Sequence, residues 1–590
     1  MNNAMNNYSL QTKSKAEESS AFAAAAKLWP LVRHEKKRMI IALVTALIAV
    51  GLNLTTPVLI GHAIDRFIPT KNYHGVLVYS GIILGIYVGS VIAQYIQTLV
   101  MGTVGQNMLY NLRASVFEKL QGLPVAFFNQ NKAGDLISRI NNDTDKLNQF
   151  FSQGLIQFIA SIITVLGASI FILCINWHLG IVAIGPALVL YLITRVLSPW
   201  IKDRNAKNLK NIGGLSGEIS ESIDNFKVVV AFNRRDYFRK RFAEVNDTNY
   251  ASAVSAGIAN NVLTPTYGLA SNAAQISVIA FGLYLVSQGQ FTLGLLISFI
   301  TYVSRLYDPL RQLAAIWTSF QTALAGWDRI HAILVLESDL VTLPDESAAS
   351  SNALLEFKDV SFRYSDSGDI LKHISLSLER GKTYALVGPT GGGKTTTASL
   401  MARLFDPTEG EVRLEGRDLR SYSAEDRAQK IGFILQEPFL FSGSIRDNIV
   451  YGNKKYETLS KEDLEKIIKE EGLEKLLERF DQGLDTDVRA TGGTLSLGQR
   501  QLIAFMRAVL RHPDLLILDE ATANIDTVTE GLLEDILKKL PASTTRVIIA
   551  HRLNTIENAD EIFFVNSGEV TAAGSMEHAV DMILHGKRES

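Results

Sequence analysis

The stretch Lys382-Thr-Tyr-Ala-Leu-Val-Gly388-Pro-Thr-Gly-Gly-Gly393-Lys394-Thr395 decides how this chain is read. Its first half is a short apolar run that reads as a buried strand, and a helical pattern follows it. Between the two, Gly388, Pro389, Thr390, Gly391, Gly392, Gly393, Lys394 and Thr395 spell G-x-x-x-x-G-K-T, a phosphate-binding loop. Glycines let backbone N–H groups curl around phosphate oxygens, and the start of the helix adds positive potential. Lys394 puts a point charge on the outer phosphates, the Thr395 hydroxyl is offered to Mg2+, and Thr396 extends the nucleotide-binding set. Further on, Leu515-Leu-Ile-Leu-Asp519-Glu520 is an apolar strand that ends in two carboxylates. Asp519 is suited to hold Mg2+, and Glu520 to act as general base on an attacking water.

Outward from this loop, short apolar runs alternate with helical patterns from about Leu355, the mark of an α/β domain. Upstream the chain changes character. Met39 to Gly61, Gly75 to Leu112, Leu147 to Trp177 and Leu179 to Trp200 each hold an apolar stretch long enough to cross a membrane. Ala251 to Ser304 is too long for one span, and Ser287-Gln288-Gly289-Gln290 divides it into a fifth and a sixth. Lys and Arg collect before the first span and in the two long connections, from span two to three and from four to five. The positive-inside rule therefore predicts a multi-pass protein of the cytoplasmic membrane, with both termini and both long connections in the cytoplasm.

The long connections have helical periodicity, so the helices are expected to continue past the membrane. Turns at their tips are expected near Asn129–Gly134 and Asn211–Gly214. Asn53, Asn260, Asn261, Asn272 and Gln275 are the polar residues of the spans, open to either helix-to-helix hydrogen bonding or a cargo cavity. The spans are almost free of charge, which argues against an ion pump.

Length and composition set the outer limits. The 590 residues exceed one hydrophobic core, and a net charge of −2 removes the usual footprint of a nucleic-acid binder. The single cysteine, Cys174, cannot form an internal disulfide and reads as a small buried apolar residue. The polar start, residues 1–20, reads as a mobile tail without the features of a signal peptide.

Between the loop and the carboxylate strand lies Leu495-Ser496-Leu497-Gly498-Gln499. Here the sequence resembles the ATP-binding-cassette (ABC) superfamily, whose signature is usually LSGGQ. The resemblance covers the whole C-terminal half in order. It implies that Tyr364 stacks on adenine and that Gln436 is the glutamine sensing Mg2+ and touching the membrane domain. It makes Asp526, in Asn524-Ile525-Asp526, part of the D-loop, and His551 the switch histidine on the γ-phosphate. Catalytic roles thus fall to Glu520, His551 and Gln436, and metal binding to Thr395, Gln436 and Asp519. Ser496, Leu497, Gly498 and Gln499 would act in trans, on the ATP site of another chain.

The membrane half resembles the exporter branch of that superfamily through Leu123-Pro-x-x-Phe127-Phe128, Gly134, Ser138, Arg139 and Asp143. The implied fold is an all-α six-helix transmembrane domain followed by an α/β P-loop ATPase domain. The expected boundaries are tail and elbow 1–35, membrane domain 36–335, linker 336–353 and nucleotide-binding domain 354–590. The implied function is ATP-driven export of lipophilic small molecules, drugs or lipids, by alternating access, with ATP and Mg2+ as cofactors. Membrane lipids surround it. Peptide export by the same build, or a gated channel or regulatory membrane ATPase, are the alternatives.

Two departures bear on assembly. Leu497 stands where the signature has glycine, and Ala490 stands where the family often has an acidic residue. Lys394, Asp519, Glu520 and His551 are all present. That combination resembles one subunit of heterodimeric exporters. The expected partner is a second half-transporter, a different chain being favoured over a second copy.

Overall fold

The computed structural model describes residues 8–10, 28–344, 353–364, 368–489, 495–519, 527–549, 559–574, 577–578 and 581–582. Contacts divide the chain into two compact units. One comprises Lys13–Leu120 and Gly134–Val335, the other Met1–Thr12, Gln121–Ala133 and Leu336–Ser590.

The first unit is helical. Its long helices are α1 (Leu28–Phe67), α2 (Tyr73–Gln121), α3 (Ala133–Ile175), α4 (Trp177–Asp224), α5 (Arg235–Ser287) and α6 (Leu293–Leu334). Helices α1 to α5 are each long and apolar enough to cross a membrane. Helix α6 falls short by composition, because Arg305, Asp308 and Arg311 interrupt it. It packs on α1, α3 and α5. The division between α5 and α6 falls where the sequence placed it, with Gly289 in the left-handed region at φ 70°. Helices α2, α4, α5 and α6 have 49, 48, 53 and 42 residues. At a rise of about 1.5 Å per residue they extend roughly 60–80 Å, well beyond the ~30 Å of bilayer hydrocarbon.

The tip of the α4–α5 pair is not where the glycines suggested. Helix α4 runs through Asn211, Gly213 and Gly214 to Asp224. The chain reverses only at residues 225–234, around the short helix Phe226–Ala231, with Asn233 left-handed at φ 51°. Packing of α4 along α5 outweighs the helix cost of two glycines, about 1 kcal/mol each. The earlier connection, between α2 and α3, holds the short helix Val125–Gln130, and Asn131 is extended after it.

Polar groups within the bundle are matched between helices. Asn53 donates to Ser90 Oγ at 2.6 Å, Asn260 and Asn205 exchange bonds at 2.8 and 3.1 Å, and Gln275 donates to Ser304 Oγ at 3.2 Å. Asn261 bonds within its own helix, to Gly257 O. The α1–α6 seam is close. A Cβ added at Gly294 would lie 2.1 Å from Gly61 O. Beside it, Ser298 Oγ donates to Pro57 O at 2.6 Å, and Tyr302 donates to Leu54 O. Two carbonyls near the proline thus accept side-chain donors from α6. Toward the other end, buried Asp143 takes Lys146 at 2.9 Å and Arg329 at 3.3 Å. Arg329 also reaches Asp135 at 2.7 Å, tying α3 to α6.

Cys174 is exposed on this unit, not buried. An apolar run facing lipid has no need of a protein neighbour, so the soluble-protein expectation fails there.

The second unit is built on two main sheets. Strands β1 (Ala353–Phe362), β2 (Leu371–Glu379), β4 (Glu409–Leu414) and β5 (Arg417–Asp418) form an antiparallel sheet in the order β2-β1-β4-β5. The other sheet uses β3 (Thr383–Val387), β6 (Ile431–Ile434), β9 (Leu515–Asp519), β10 (Thr545–Ile549), β11 (Glu561–Asn566) and β12 (Glu569–Ala572), in the order β12-β11-β3-β10-β9-β6. All its pairings are parallel except the edge pair β11–β12. A short ribbon pairs β7 (Gly443–Ser444) with β8 (Asp487–Val488). Strands β3 and β9 are buried throughout, as expected of central parallel strands.

Within the polar start, the described residues 8–10 depart from a mobile tail. Tyr8 and Leu10 are buried, at 1 and 5 % exposure.

Candidate nucleotide site

Strand β3 runs straight into the phosphate-binding loop, and α7 (Lys394–Met401) leaves it. Gly388, Gly391 and Gly393 have φ of 139°, 81° and 113°, so three of the loop's residues sit where side chains are strained. The loop is also tight. A Cβ on Gly388 would lie 2.1 Å from Val565 O, and one on Gly392 2.5 Å from the same oxygen. The reason is register: Val387 pairs with Phe564, so the next residue of each parallel strand meets side by side.

Lys394 is 6 % exposed. Its Nζ donates to Gly388 O at 2.9 Å and Pro389 O at 3.0 Å, which holds the ammonium across the loop. The first amides of α7 have no intrahelical acceptor, so donors and a cation converge on one cradle. Thr395 is exposed in the first turn of α7. Thr396 is buried, with its Oγ1 3.3 Å from the Tyr364 hydroxyl. Tyr364 itself stands edge-on to Phe362 and Phe405. The adenine-stacking candidate is thereby anchored beside the first turn of α7.

Parallel registers bring the carboxyl ends of β9 and β6, with Asp519 and Gln436, to the same edge as the loop. Ile549 of β10 pairs with both Leu386 of β3 and Asp519 of β9. The carboxyl end of β9 therefore lies two strands from the loop, roughly 10 Å at ~4.8 Å per strand. Asp519 is buried, at 4 % exposure. Beyond it, β6 pairs Ile434 with Leu518, and Gln436 follows two residues on, exposed. Glu520, Asp526 and His551 lie outside the described residues; Glu520 directly follows Asp519 in the chain. Among the described residues no group of three or more His, Cys, Asp or Glu side chains could cage a metal. Mg2+ suits such a place, since it binds one or two protein oxygens together with phosphates and water.

The signature opens α8 (Leu497–Val509), with Ser496 as its N-cap. Gln499 N donates to Ser496 Oγ at 3.1 Å, and Ser496 N donates to Gln499 Oε1 at 2.9 Å, a reciprocal capping box. The cap uses a lone pair of the serine, so the hydroxyl proton remains a donor. Leu497 occupies the first helical position, half-buried, and Gly498 the next. Both ends of the Gln499 amide are engaged, since its Nε2 also donates to Arg479 O at 3.4 Å. Among the described residues, no hydrogen bond joins Ser496–Gln499 to the chain's own phosphate-binding loop.

Sequence reasoning missed Arg507. From α8 it donates to Asn448 O at 2.8 Å, Asn448 Oδ1 at 2.9 Å and Phe439 O at 3.1 Å. Gln501 of the same helix donates to Gln436 O at 3.4 Å. The signature helix thus grips the segment after β6 twice. Burial pulls the Arg507 guanidinium below its ordinary value, and the three acceptors compensate its lost water.

Comparison with known proteins agrees with this geometry. Residues 39–310 match the family model described as the ABC transporter transmembrane region, and residues 371–523 the model described as ABC transporter. The chain is 32% identical over 576 residues to the Uncharacterized ABC transporter ATP-binding protein YfiC of Bacillus subtilis, covering 96% of this chain and 94% of that protein. It is 30% identical to a Multidrug resistance ABC transporter ATP-binding and permease protein of Lactococcus lactis subsp. lactis, covering 92% of each. It is likewise 30% identical to the Fatty acid ABC transporter ATP-binding/permease protein of Mycobacterium bovis, covering 83% of this chain and 77% of that protein. With a transmembrane region followed by one ATP-binding domain, the chain belongs to the ABC transporters, as an exporter-type half-transporter that couples ATP hydrolysis to transport.

Proposed function

We propose that this chain exports lipophilic small molecules, drugs or lipids, across the cytoplasmic membrane by alternating access, as one half of a heterodimer. The observation that carries the reading is the glycine-walled cradle around Lys394, in a chain whose other unit is a bundle of long apolar helices. Intramembrane amides engaged with neighbouring helices, and spans almost free of charge, favour an apolar cargo over ions. Relatives named for multidrug resistance and for fatty acids support the same cargo class. The Lys and Arg of the long connections favour cytoplasmic tips and termini.

Each residue then has a task. Bound ATP with Mg2+ supplies the phosphoanhydride bond that drives the cycle. Tyr364 stacks on the base, while Lys394 and the loop amides hold the phosphates. Thr395, Asp519 and Gln436 hold the metal, and Glu520 takes the proton of the attacking water. His551 contacts the γ-phosphate, and Asp526 serves as the D-loop aspartate. Ser496 and Gly498 point their donors at the ATP site of the other chain.

A heterodimer is favoured because Leu497 alters the signature this chain lends and Ala490 the stretch just upstream of it, while its own Lys394, Asp519 and Glu520 are complete. The test is vanadate-sensitive ATP hydrolysis by the chain purified alone and with a second half-transporter. That partner carries LSGGQ and no acidic residue at the position of Glu520. The lone chain is expected to turn over at least about tenfold more slowly than the pair, the scale of a lost transition-state donor. Equal turnover by the lone chain would replace the heterodimer with a homodimer.

A further inference from the structure

The N-terminal segment Tyr8–Leu10 joins two parts of the chain that are far apart in sequence. Tyr8 N donates to Gln130 Oε1 at 2.8 Å. Asn131 Nδ2 donates to Tyr8 O at 3.0 Å, and Leu10 N donates to Asn131 Oδ1 at 3.2 Å. The ring of Tyr8 stands edge-on to Phe127, which is fully buried. On its other side the Tyr8 hydroxyl donates to Glu337 O at 3.1 Å and accepts from Asp339 N at 2.8 Å. One side chain thus ties the helix Val125–Gln130, in the α2–α3 connection, to the segment that leaves α6. All of these residues belong to one compact unit.

The tie continues toward the nucleotide loop. Two residues past Asp339, Val341 N donates to Asp406 Oδ2 at 3.0 Å, and Val341 O accepts from Arg403 at 2.6 Å. Leu343 N donates to Arg420 O at 3.0 Å. Arg403 lies just beyond the end of α7, the helix that begins with Lys394, and it also pairs with Asp406 at 2.9 Å. A series of contacts therefore runs from Phe127 and Asn131, through buried Tyr8 and the more exposed residues 337–341, to buried Arg403 just past the end of α7.

We propose that Tyr8 is a positioning residue for transport: it staples the α2–α3 connection to the segment between α6 and β1. Turnover at the ATP site then moves the helices rather than running idle. The inference rests on the exporter reading above. Tyr8 touches neither nucleotide nor cargo.

The test uses the assembled transporter in nanodiscs, with Cys174→Ser and spin labels at Thr70→Cys and Gln288→Cys, in the connections α1–α2 and α5–α6. Hydrogen exchange over residues 125–131, vanadate-sensitive hydrolysis and the distance shift driven by ATP with vanadate are read together. In Tyr8→Ala, exchange over residues 125–131 is expected to rise at least about tenfold. Hydrolysis should stay within about twofold of the unsubstituted protein, while the shifted population falls about fivefold or more. Tyr8→Phe keeps the ring on Phe127 and loses the hydroxyl bonds, so it should fall between the two. Asn131→Ala breaks the same staple from the other side and should reproduce the uncoupling. The proposal is overturned if Tyr8→Ala keeps the full shift, or if hydrolysis and shift fall in parallel as in a general loss of fold. Absence of any ATP-driven shift in the unsubstituted protein would instead overturn the exporter reading, and the staple with it.

Discussion

Glu520→Gln is expected to leave ATP binding intact and to lower steady-state hydrolysis by about 10³-fold, within the usual range for a general base. The argument starts from β9. Its five residues are buried, and it delivers Asp519 to the sheet edge in register with Ile549. Glu520 is the next residue in the chain, one step beyond the buried strand. Glutamine keeps the size of glutamate and one acceptor oxygen but cannot take the proton of a water. Binding rests on other groups, Lys394 and the loop amides. A fluorescent ATP analogue and phosphate release, measured on the same preparation, separate the two effects. Hydrolysis at the unsubstituted rate would place the base elsewhere.

Gly388→Ala carries the second largest expected effect, and here the cause is steric. The residue has φ 139°, and its Cβ would lie 2.1 Å from Val565 O. That oxygen is backbone in a strand paired on both sides, with β12 and β3, so it cannot swing aside. Strain and overpacking together are expected to cost about 3–5 kcal/mol, against a total stability of roughly 5–15 kcal/mol for a domain. The melting temperature of the ATP-binding domain should fall by roughly 10 °C, with loss of nucleotide binding. Gly391→Ala is the internal control. It shares a positive φ, 81°, but a Cβ there meets nothing within 4 Å. Its cost should be only about 1 kcal/mol. Equal melting of the two variants, read by calorimetry, would remove close approach as the explanation.

Much of the architecture was legible because it rests on composition over long windows. The apolar stretches of α1 to α5 and the strand–loop–helix at Lys382–Thr395 are of that kind. What failed rests on packing. Gly213 and Gly214 look like a turn, yet α4 continues because α5 supports it. The true reversal uses Asn233, a residue type that tolerates the left-handed region and looks ordinary in a polar stretch. Cys174 was read by soluble-protein habit, although lipid accepts an exposed apolar surface. Tyr8 is hidden for a different reason: each of the four hydrogen bonds described above uses a main-chain atom of its own or of residues 337–339, and main-chain groups leave no trace in composition.

The site was legible to a similar depth. Glycines and Lys394 announce a phosphate loop through the chemistry of the residues themselves. Tyr364 and Gln436 were visible only through resemblance, and the structure places one beside α7 and the other after β6. Arg507 escaped because its three acceptors come from residues some sixty positions upstream.

The most direct test of the account is uptake of Hoechst 33342 into inside-out membrane vesicles holding the assembled transporter. Accumulation is predicted to require ATP, to stop with vanadate, and to be absent in Glu520→Gln although that variant still binds ATP. Dye flux that persists in Glu520→Gln, or that proceeds down its gradient without ATP turnover, would contradict an ATP-driven exporter.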